Sequence, residues 1–135
     1  MHAGRSMRYR HVRYRYAVIA EAALRPIVRL PGITLAQPRW RPETDVYETA
    51  TAITVTVELA GVSDDGVEVT LFEDVLVVEG ERRLTCDEDC VYHAASIRQG
   101  PFRVEVPLPA RVERDAVEAR YDQGLLRIRL PKEGR

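Results

Sequence analysis

The sequence has no asparagine, a single lysine (Lys132) among its twenty basic residues, and no apolar run near the roughly 20 residues that a membrane span requires. Its arginine-rich start is not followed by the apolar core and small-residue cleavage site of a secretory signal. We therefore expect a cytoplasmic protein that does not bind a membrane.

Sequence motifs for catalysis and for nucleotide binding are also missing. Neither the phosphate-binding GxxxxGK[ST] loop nor a G-x-S-x-G nucleophile motif occurs. The three histidines (His2, His11 and His93) are scattered, and the carboxylates fall in turns or at alternating outward positions, where solvated charges belong. The sequence indicates a protein that is not an enzyme and has no cofactor.

Charge divides the chain into a basic arm and an acidic body. Residues 1–42 contain nine arginines and one acid, Glu21, for a net charge of +8. The remainder contains eleven basic and twenty acidic residues, for a net charge of −9. We interpret residues 1–42 as a flexible, mobile arm, residues 43–132 as one domain and residues 133–135 as a short tail.

The arm interleaves tyrosines with arginines over residues 8–16 and then has helix-forming composition from Ala17 to Leu24, ending before Pro26. Arginine with tyrosine is one pattern for binding nucleic acid, but no recognition fold accompanies it, so no nucleic-acid partner is expected. The large side chains that this arm could offer to another protein are those of Tyr9, Tyr14, Tyr16, Ile19, Leu24 and Ile27.

The body shows the two-residue period of half-buried strands. In residues 52–59, Ile53, Val55, Val57 and Leu59 share one face. Turn residues such as Glu73-Asp74 and Asp122-Gln123-Gly124 separate the apolar segments. The further predicted strands are 67–71, 75–78, 91–98, 102–106, 117–121 and 125–130. Seven or so short strands with such spacing predict an all-β antiparallel sandwich, with Trp40 packed at its edge as a hydrophobic anchor.

The body also carries a series of short motifs in a recognisable order. The most distinctive is Ala119 to Leu126 (ARYDQGLL), similar to the pattern A-x-x-x-x-G-V-L; a turn between antiparallel strands often needs the positive φ that glycine accepts. The others are Pro42 to Thr49, E-L-A-G-V at 58–62, the segment 66–82 ending in G-E-R, Tyr92-His93, Gly100-Pro101-Phe102, Leu108-Pro109 and Leu130-Pro131-Lys132. Together they resemble the α-crystallin domain of small heat-shock proteins.

This resemblance implies an immunoglobulin-like β-sandwich and an ATP-independent holdase that binds partly unfolded proteins and suppresses their aggregation under stress. In such a holdase, the candidate client-binding residues are the arm's Tyr9, Tyr14, Tyr16, Ile19, Leu24 and Ile27. It also implies self-association as a homodimer or a larger oligomer. The dimer would form by exchange of residues 82–98, with Tyr92, His93 and Ile97 in the exchange loop. A groove between two strand edges would be lined by Val67, Val69, Leu71, Val117, Ala119 and Tyr121. Ile33 and Leu35 form an I-x-[IL] segment that we expect to fill this groove by adding a strand.

Two positions depart from the family pattern. Val104 stands where many bacterial members have an arginine, so the ion pairing ascribed to that arginine at the dimer interface is not expected. No I-x-I motif follows Lys132, so assemblies built by such a tail are not expected either.

Cys86, Cys90 and His93 form a C-x3-C-x2-H pattern that lacks a fourth ligand and the usual zinc spacing, so no metal site is expected. Two readings remain for the thiols. They are a candidate redox pair in the exchange loop, or two reduced cytosolic thiols whose acidic neighbours Asp87, Glu88 and Asp89 disfavour the reactive thiolate. The rarity of cytosolic disulfides favours the reduced form.

Two other functions fit a sandwich of this size. One is a co-chaperone adaptor of the CS-domain kind, whose members lack the exchange loop and the A-x-x-x-x-G-V-L pattern. The other is a β-sandwich binding module with one specific ligand, which would show a single saturable partner of defined stoichiometry.

Overall fold

The computed structural model describes residues 39–134 and three two-residue strands of the arm. The arm strands are β1 (Met7–Arg8), β2 (Arg29–Leu30) and β3 (Ile33–Thr34). The body strands are β4 (Thr44–Glu48), β5 (Ala52–Glu58), β6 (Val67–Phe72), β7 (Val75–Arg82), β8 (Gly100–Pro107), β9 (Glu118–Asp122) and β10 (Leu125–Pro131). Two single 3₁₀ turns, Asp64–Gly66 and Arg114–Ala116, lie between strands.

The body strands form two antiparallel sheets. One sheet has the order β1-β9-β10-β5-β4, and the other has the order β6-β7-β8. β2 and β3 pair with each other in a separate two-stranded sheet. This arrangement confirms the predicted all-β sandwich.

The core lies between the two sheets and follows the alternation in the sequence. Ile53, Val55 and Val57 of β5 are fully buried and face a cluster that includes Leu76 and Val78 of β7. Each such side chain removed from water contributes about 1.5–3 kcal/mol to the free energy of unfolding. Burial of one face of the core strands, such as β5, β8 and β10, therefore fixes their register.

Tight two-residue turns join neighbouring strands where the sequence predicted them. β6 and β7 meet at Glu73-Asp74, with Glu73 at a φ of 52°. β9 and β10 meet at Gln123 and Gly124, with φ of 50° and 82°. Positive φ at both central residues is the primed turn that matches the twist of a hairpin.

Two sequence expectations differ from the structure. Residues 91–98 form no strand, because residues 85–99 are exposed and pair with no described strand that would supply a ladder of backbone hydrogen bonds. β7 continues through Gly80 to Arg82, where it still pairs with β8. The expected helix at residues 17–24 lies outside the described residues.

Candidate self-association and client-binding surfaces

The four outer strand edges of the two sheets differ in what lies against them. At β8, Trp40 accepts and donates backbone hydrogen bonds: its N–H donates to Pro101 O and its carbonyl accepts from Arg103 N–H, both at 3.1 Å. At β9, β1 adds two residues, with Met7 opposite Tyr121. Within the described residues, no strand pairs with the outer edges of β4 and β6. Outer strand edges of this kind can accept a strand from another chain.

Trp40 packs where the sequence predicted, at the edge of the sandwich. Its ring lies 5.4 Å from the Phe102 ring, centroid to centroid, and its indole N–H donates to Gly100 O at 3.0 Å. The contact is therefore both apolar and hydrogen-bonded, and it ties the end of the arm to β8.

The side chains predicted to line the groove contribute mainly to the core. Val67, Val69, Leu71 and Ala119 are buried, while Val117 and Tyr121 are partly buried against the same cluster. The β6 edge thus offers a partner its backbone groups more than its side chains. The groove role of these six residues stays a prediction.

Tyr121 is held at one end of this region. Its hydroxyl donates a hydrogen bond to the carbonyl of Leu59 at 2.8 Å. Burial raises the pKa of Tyr121 above its ordinary value of 10.0, and the negative charge of Glu58 adds to the shift. The neutral phenol is therefore the form that the folded protein favours.

Within one chain, the described part of the segment expected to fill the groove pairs with another part of the arm. Ile33 pairs with Leu30 in the β2–β3 hairpin, and Met7 and Arg8 are the residues that pair with β9. Leu35 lies outside the described residues. Binding of this segment to a neighbouring subunit stays a prediction.

All six candidate client-binding residues of the arm also lie outside the described residues. Their contact with unfolding proteins stays a prediction.

Residues 83–99 form a long loop that is fixed at its base. The Arg82 guanidinium donates through Nε to Arg98 O at 2.9 Å, and Leu84 N–H donates to the side-chain oxygen of Gln99 at 3.1 Å. Every residue from 85 to 99 is exposed. The loop therefore projects from a firm base and carries its side chains into solvent.

The exposed large apolar residues of the described part of the chain fall on two elements only. They lie on the loop and on the open strand β4. These residues, with their exposed fractions, are Val91 (76%), Tyr92 (53%), Ile97 (66%), Val46 (45%) and Tyr47 (55%). His93 is exposed beside them. The three predicted exchange-loop residues Tyr92, His93 and Ile97 are thus all exposed on this loop, and their role in a dimer stays a prediction.

Cys86 and Cys90 are joined in a disulfide within the loop. This differs from the expectation of two reduced thiols, because the turn at residues 88–89 brings the two cysteines together: the Cα atoms are 6.2 Å apart and Cys90 N–H donates to Asp87 O at 3.1 Å. In the part of the chain that the structure describes, no group of three or more His, Cys, Asp or Glu side chains is arranged to hold a metal ion. No helix in that part is long and apolar enough to cross a membrane.

The family model described as Hsp20/alpha crystallin family matches residues 45–135. The chain belongs to this family. Membership supports a chaperone role and favours it over the CS-domain adaptor.

Individual relatives agree with the family match. Small heat shock protein C2 of Rickettsia felis is 30% identical over 92 residues, which cover 67% of this chain and 60% of the relative. Heat shock protein 16 of Schizosaccharomyces pombe is 32% identical over 94 residues, which cover 67% and 66%. The solved structure of heat shock protein 16.0 from the same yeast superposes with a TM-score of 0.65 at 30% identity, over 70% of this chain and 88% of that chain. The chain spans less than two-thirds of the length of the two sequence relatives.

The departure from the family pattern at Val104 has a structural consequence. Val104 is buried in the core on the inner face of β8. The neighbouring Arg103 lies on the opposite face, where its guanidinium contacts Glu79 at 3.4 Å and Glu105 at 3.7 Å. Arg103 is therefore committed to pairs within its own chain.

Sequence reasoning missed three residues of these surfaces. Val46 and Tyr47 lie in a strand whose residues are nearly all exposed, so it shows no alternation to mark them. Val91 follows Cys90 directly and was included in a predicted strand. A usable signal was the presence of adjacent large apolar residues in segments that are otherwise rich in charge.

Proposed function

We propose that this protein is an ATP-independent holdase that binds partly unfolded proteins under stress in the cytoplasm and keeps them from aggregating. Family membership supports the chaperone role. The observation that carries the proposal is that, among residues 39–134, the exposed large apolar side chains lie on β4 and the loop, and no described strand pairs with the outer edge of β4. Such surfaces bind apolar, extended segments without needing a pocket of fixed shape.

The same surfaces support a homodimer. The loop of one copy carries Val91, Tyr92 and Ile97, and β4 of the other offers an open edge flanked by Val46 and Tyr47. A reciprocal exchange would bury both apolar sets and satisfy the β4 backbone groups in each copy, as a two-fold interface requires. Unfolding proteins would compete for the same surfaces when the copies separate.

Client contact extends to the arm in this proposal. The arm combines tyrosines and aliphatic residues with a net charge of +8, while the body carries −9. The charges keep the arm dispersed in water, and the apolar side chains add binding area worth about 25 cal/mol per Å² removed from water. Many weak contacts of this kind hold different clients with similar strength.

An aggregation assay tests the function. A heat-sensitive enzyme such as citrate synthase is heated with and without the protein, without ATP, and light scattering is followed. We expect suppression of scattering at a few-fold molar excess. No suppression at any excess would overturn the holdase, and tight binding of one partner at fixed stoichiometry would favour a specific binding module.

A loop variant tests the dimer. Val91→Asp with Ile97→Asp places charges in the proposed interface, whereas Thr85→Asp places one in the same loop at a polar position. We expect the first variant to sediment as a monomer and the control to associate like the unchanged protein. Equal association of all three would remove the loop from the interface.

A further inference from the structure

We propose that Cys86 and Cys90 form a reversible oxidation site for peroxide that sets how far the exchange loop reaches, and so controls self-association. The inference rests on the loop exchange proposed above. It uses the position of the disulfide between the fixed base of the loop and its apolar residues.

The disulfide lies in the half of the loop that runs from Leu84 to Val91, and the length of this half limits how far Val91 can lie from the base. Leu84 is held at the base by Gln99, and Arg98 is held by Arg82. Val91 lies midway between these anchors and directly follows Cys90. Any shortening between Cys86 and Cys90 therefore draws Val91 toward the base.

The size of this shortening follows from the backbone. Four residues of extended strand span about 13 Å at about 3.3 Å per residue. The disulfide holds the two Cα atoms 6.2 Å apart. Oxidation thus removes about 7 Å of reach, which exceeds the spacing of about 4.8 Å between paired strands.

A loop shortened by that amount cannot keep the same pairing with the second copy. The tip would have to give up one or two hydrogen bonds of the ladder or withdraw Val91 and Tyr92 from the interface. The reduced chain has the full length and can extend. Oxidation therefore weakens the dimer and leaves the loop and the β4 edge exposed for clients.

The chemistry balances with hydrogen peroxide as the oxidant. The thiolate sulfur of one cysteine attacks a peroxide oxygen, the O–O bond breaks, and a sulfenic acid and water form. The second sulfur attacks the sulfenic sulfur, the S–S bond forms, and the hydroxyl leaves as a second water. Two thiols are oxidised by two electrons, hydrogen peroxide is reduced to two waters, and a thiol such as dithiothreitol reverses the step.

Three acidic residues lie within the ring. Asp87, Glu88 and Asp89 are exposed between the two cysteines. Asp89 adopts a φ of 59°, a left-handed conformation that aspartate tolerates better than most residues and that closes the turn. The turn therefore holds the two cysteines in position for the ring to close.

Sedimentation of the full chain tests the inference. The unchanged protein is measured after dithiothreitol and after hydrogen peroxide, with the Cys86→Ser/Cys90→Ser variant treated identically as the control for oxidation elsewhere. We expect the oxidised protein to dimerise about tenfold more weakly than the reduced protein, the value for one or two lost hydrogen bonds. Dithiothreitol should restore association, and the double variant should behave as the reduced protein under both treatments.

The alternative results separate the two proposals. Equal association of oxidised and reduced protein overturns the redox inference and leaves the holdase and the dimer standing. A disulfide between two chains, visible as a dimer on a non-reducing gel, also overturns it. If the reduced protein does not associate at all, both the loop exchange and its regulation by oxidation are overturned. The aggregation assay then still tests the holdase function independently.

Discussion

The guanidinium group of Arg82 lies over the indole ring of Trp40, with its central carbon 4.5 Å from the ring centroid. Arg82 is buried, and it also donates to Arg98 O at 2.9 Å and to Ala60 O at 3.2 Å. One side chain thus joins the end of the arm, the turn after β5 and the base of the exchange loop.

Replacing Arg82 tests this junction. Arg82→Ala leaves two carbonyls without their partner and removes the stacking, so we expect the free energy of unfolding to fall by about 3 kcal/mol. Arg82→Lys keeps the charge but not the fork of donors and should lose roughly half as much. Urea denaturation measures both, and Arg83→Ala, at an exposed neighbouring position paired with Glu81, should change stability by less than about 0.5 kcal/mol. Equal effects at the two arginines would contradict the junction.

Gly80 provides a second test of packing. A Cβ atom there would lie 1.9 Å from the carbonyl oxygen of Gly66 and 2.8 Å from Cζ of Phe102. Because a backbone oxygen cannot yield as a side chain does, we expect Gly80→Ala to destabilise the fold by about 3 kcal/mol or more. Gly134→Ala, where no heavy atom lies within 4 Å, is the matched control and should leave the melting temperature unchanged. A similar melting temperature for both variants would show that β7 and the Gly66 turn are not in this close contact.

Tyr121 predicts a pH dependence. The folded pKa is raised by burial, so the unfolded phenol, with its ordinary value of 10.0, loses its proton first as the pH rises. The contribution of Tyr121 is therefore complete below pH 10 and is lost as the pH rises through the folded pKa. Tyr121→Phe should lower the free energy of unfolding by about 1 kcal/mol at pH 8. In denaturation curves, the difference between the two proteins should shrink above pH 10. A difference in the free energy of unfolding that stays constant from pH 8 to 11 would contradict the raised pKa of Tyr121.

The β4 edge predicts an effect on assembly without one on folding. Val46 is exposed, so Val46→Asp should change the free energy of unfolding of the monomer by less than about 0.5 kcal/mol. In the proposed dimer it buries a charge against the partner's loop, and dimerisation should weaken about tenfold or more. Arg127→Asp, on the exposed face of β10, is the control with the same new residue. Equal association of both variants would exclude the β4 edge from the interface.

Strands buried on one face were predictable from the sequence, and strands without that burial were not. The alternation from Ile53 to Leu59 reproduces β5, and the hairpin at Gln123-Gly124 follows from the need for positive φ. Residues 91–98 carry apolar side chains in a similar density but stay exposed and pair with no described strand of their own chain. Sequence patterns record burial within one chain and do not distinguish it from burial against a second copy.

The candidate site was predictable only in part for the same reason. The family pattern pointed to Tyr92 and Ile97, which the structure exposes on the loop. The closed ring at Cys86 and Cys90 depends on a local turn with a left-handed aspartate, which spacing alone does not reveal. The role of Arg82 depends on contacts with Trp40 and Arg98, which are far from it in sequence.

Amide hydrogen exchange in the presence of a heat-denatured client tests the central claim most directly. If open strand edges and exposed apolar segments hold unfolding proteins, the amides of β4, β6 and residues 91–97 should exchange more slowly once a client is bound. The core strands β5 and β10 serve as the internal reference and should exchange as before. Suppressed aggregation with unchanged exchange at both edges and in the loop would contradict the account.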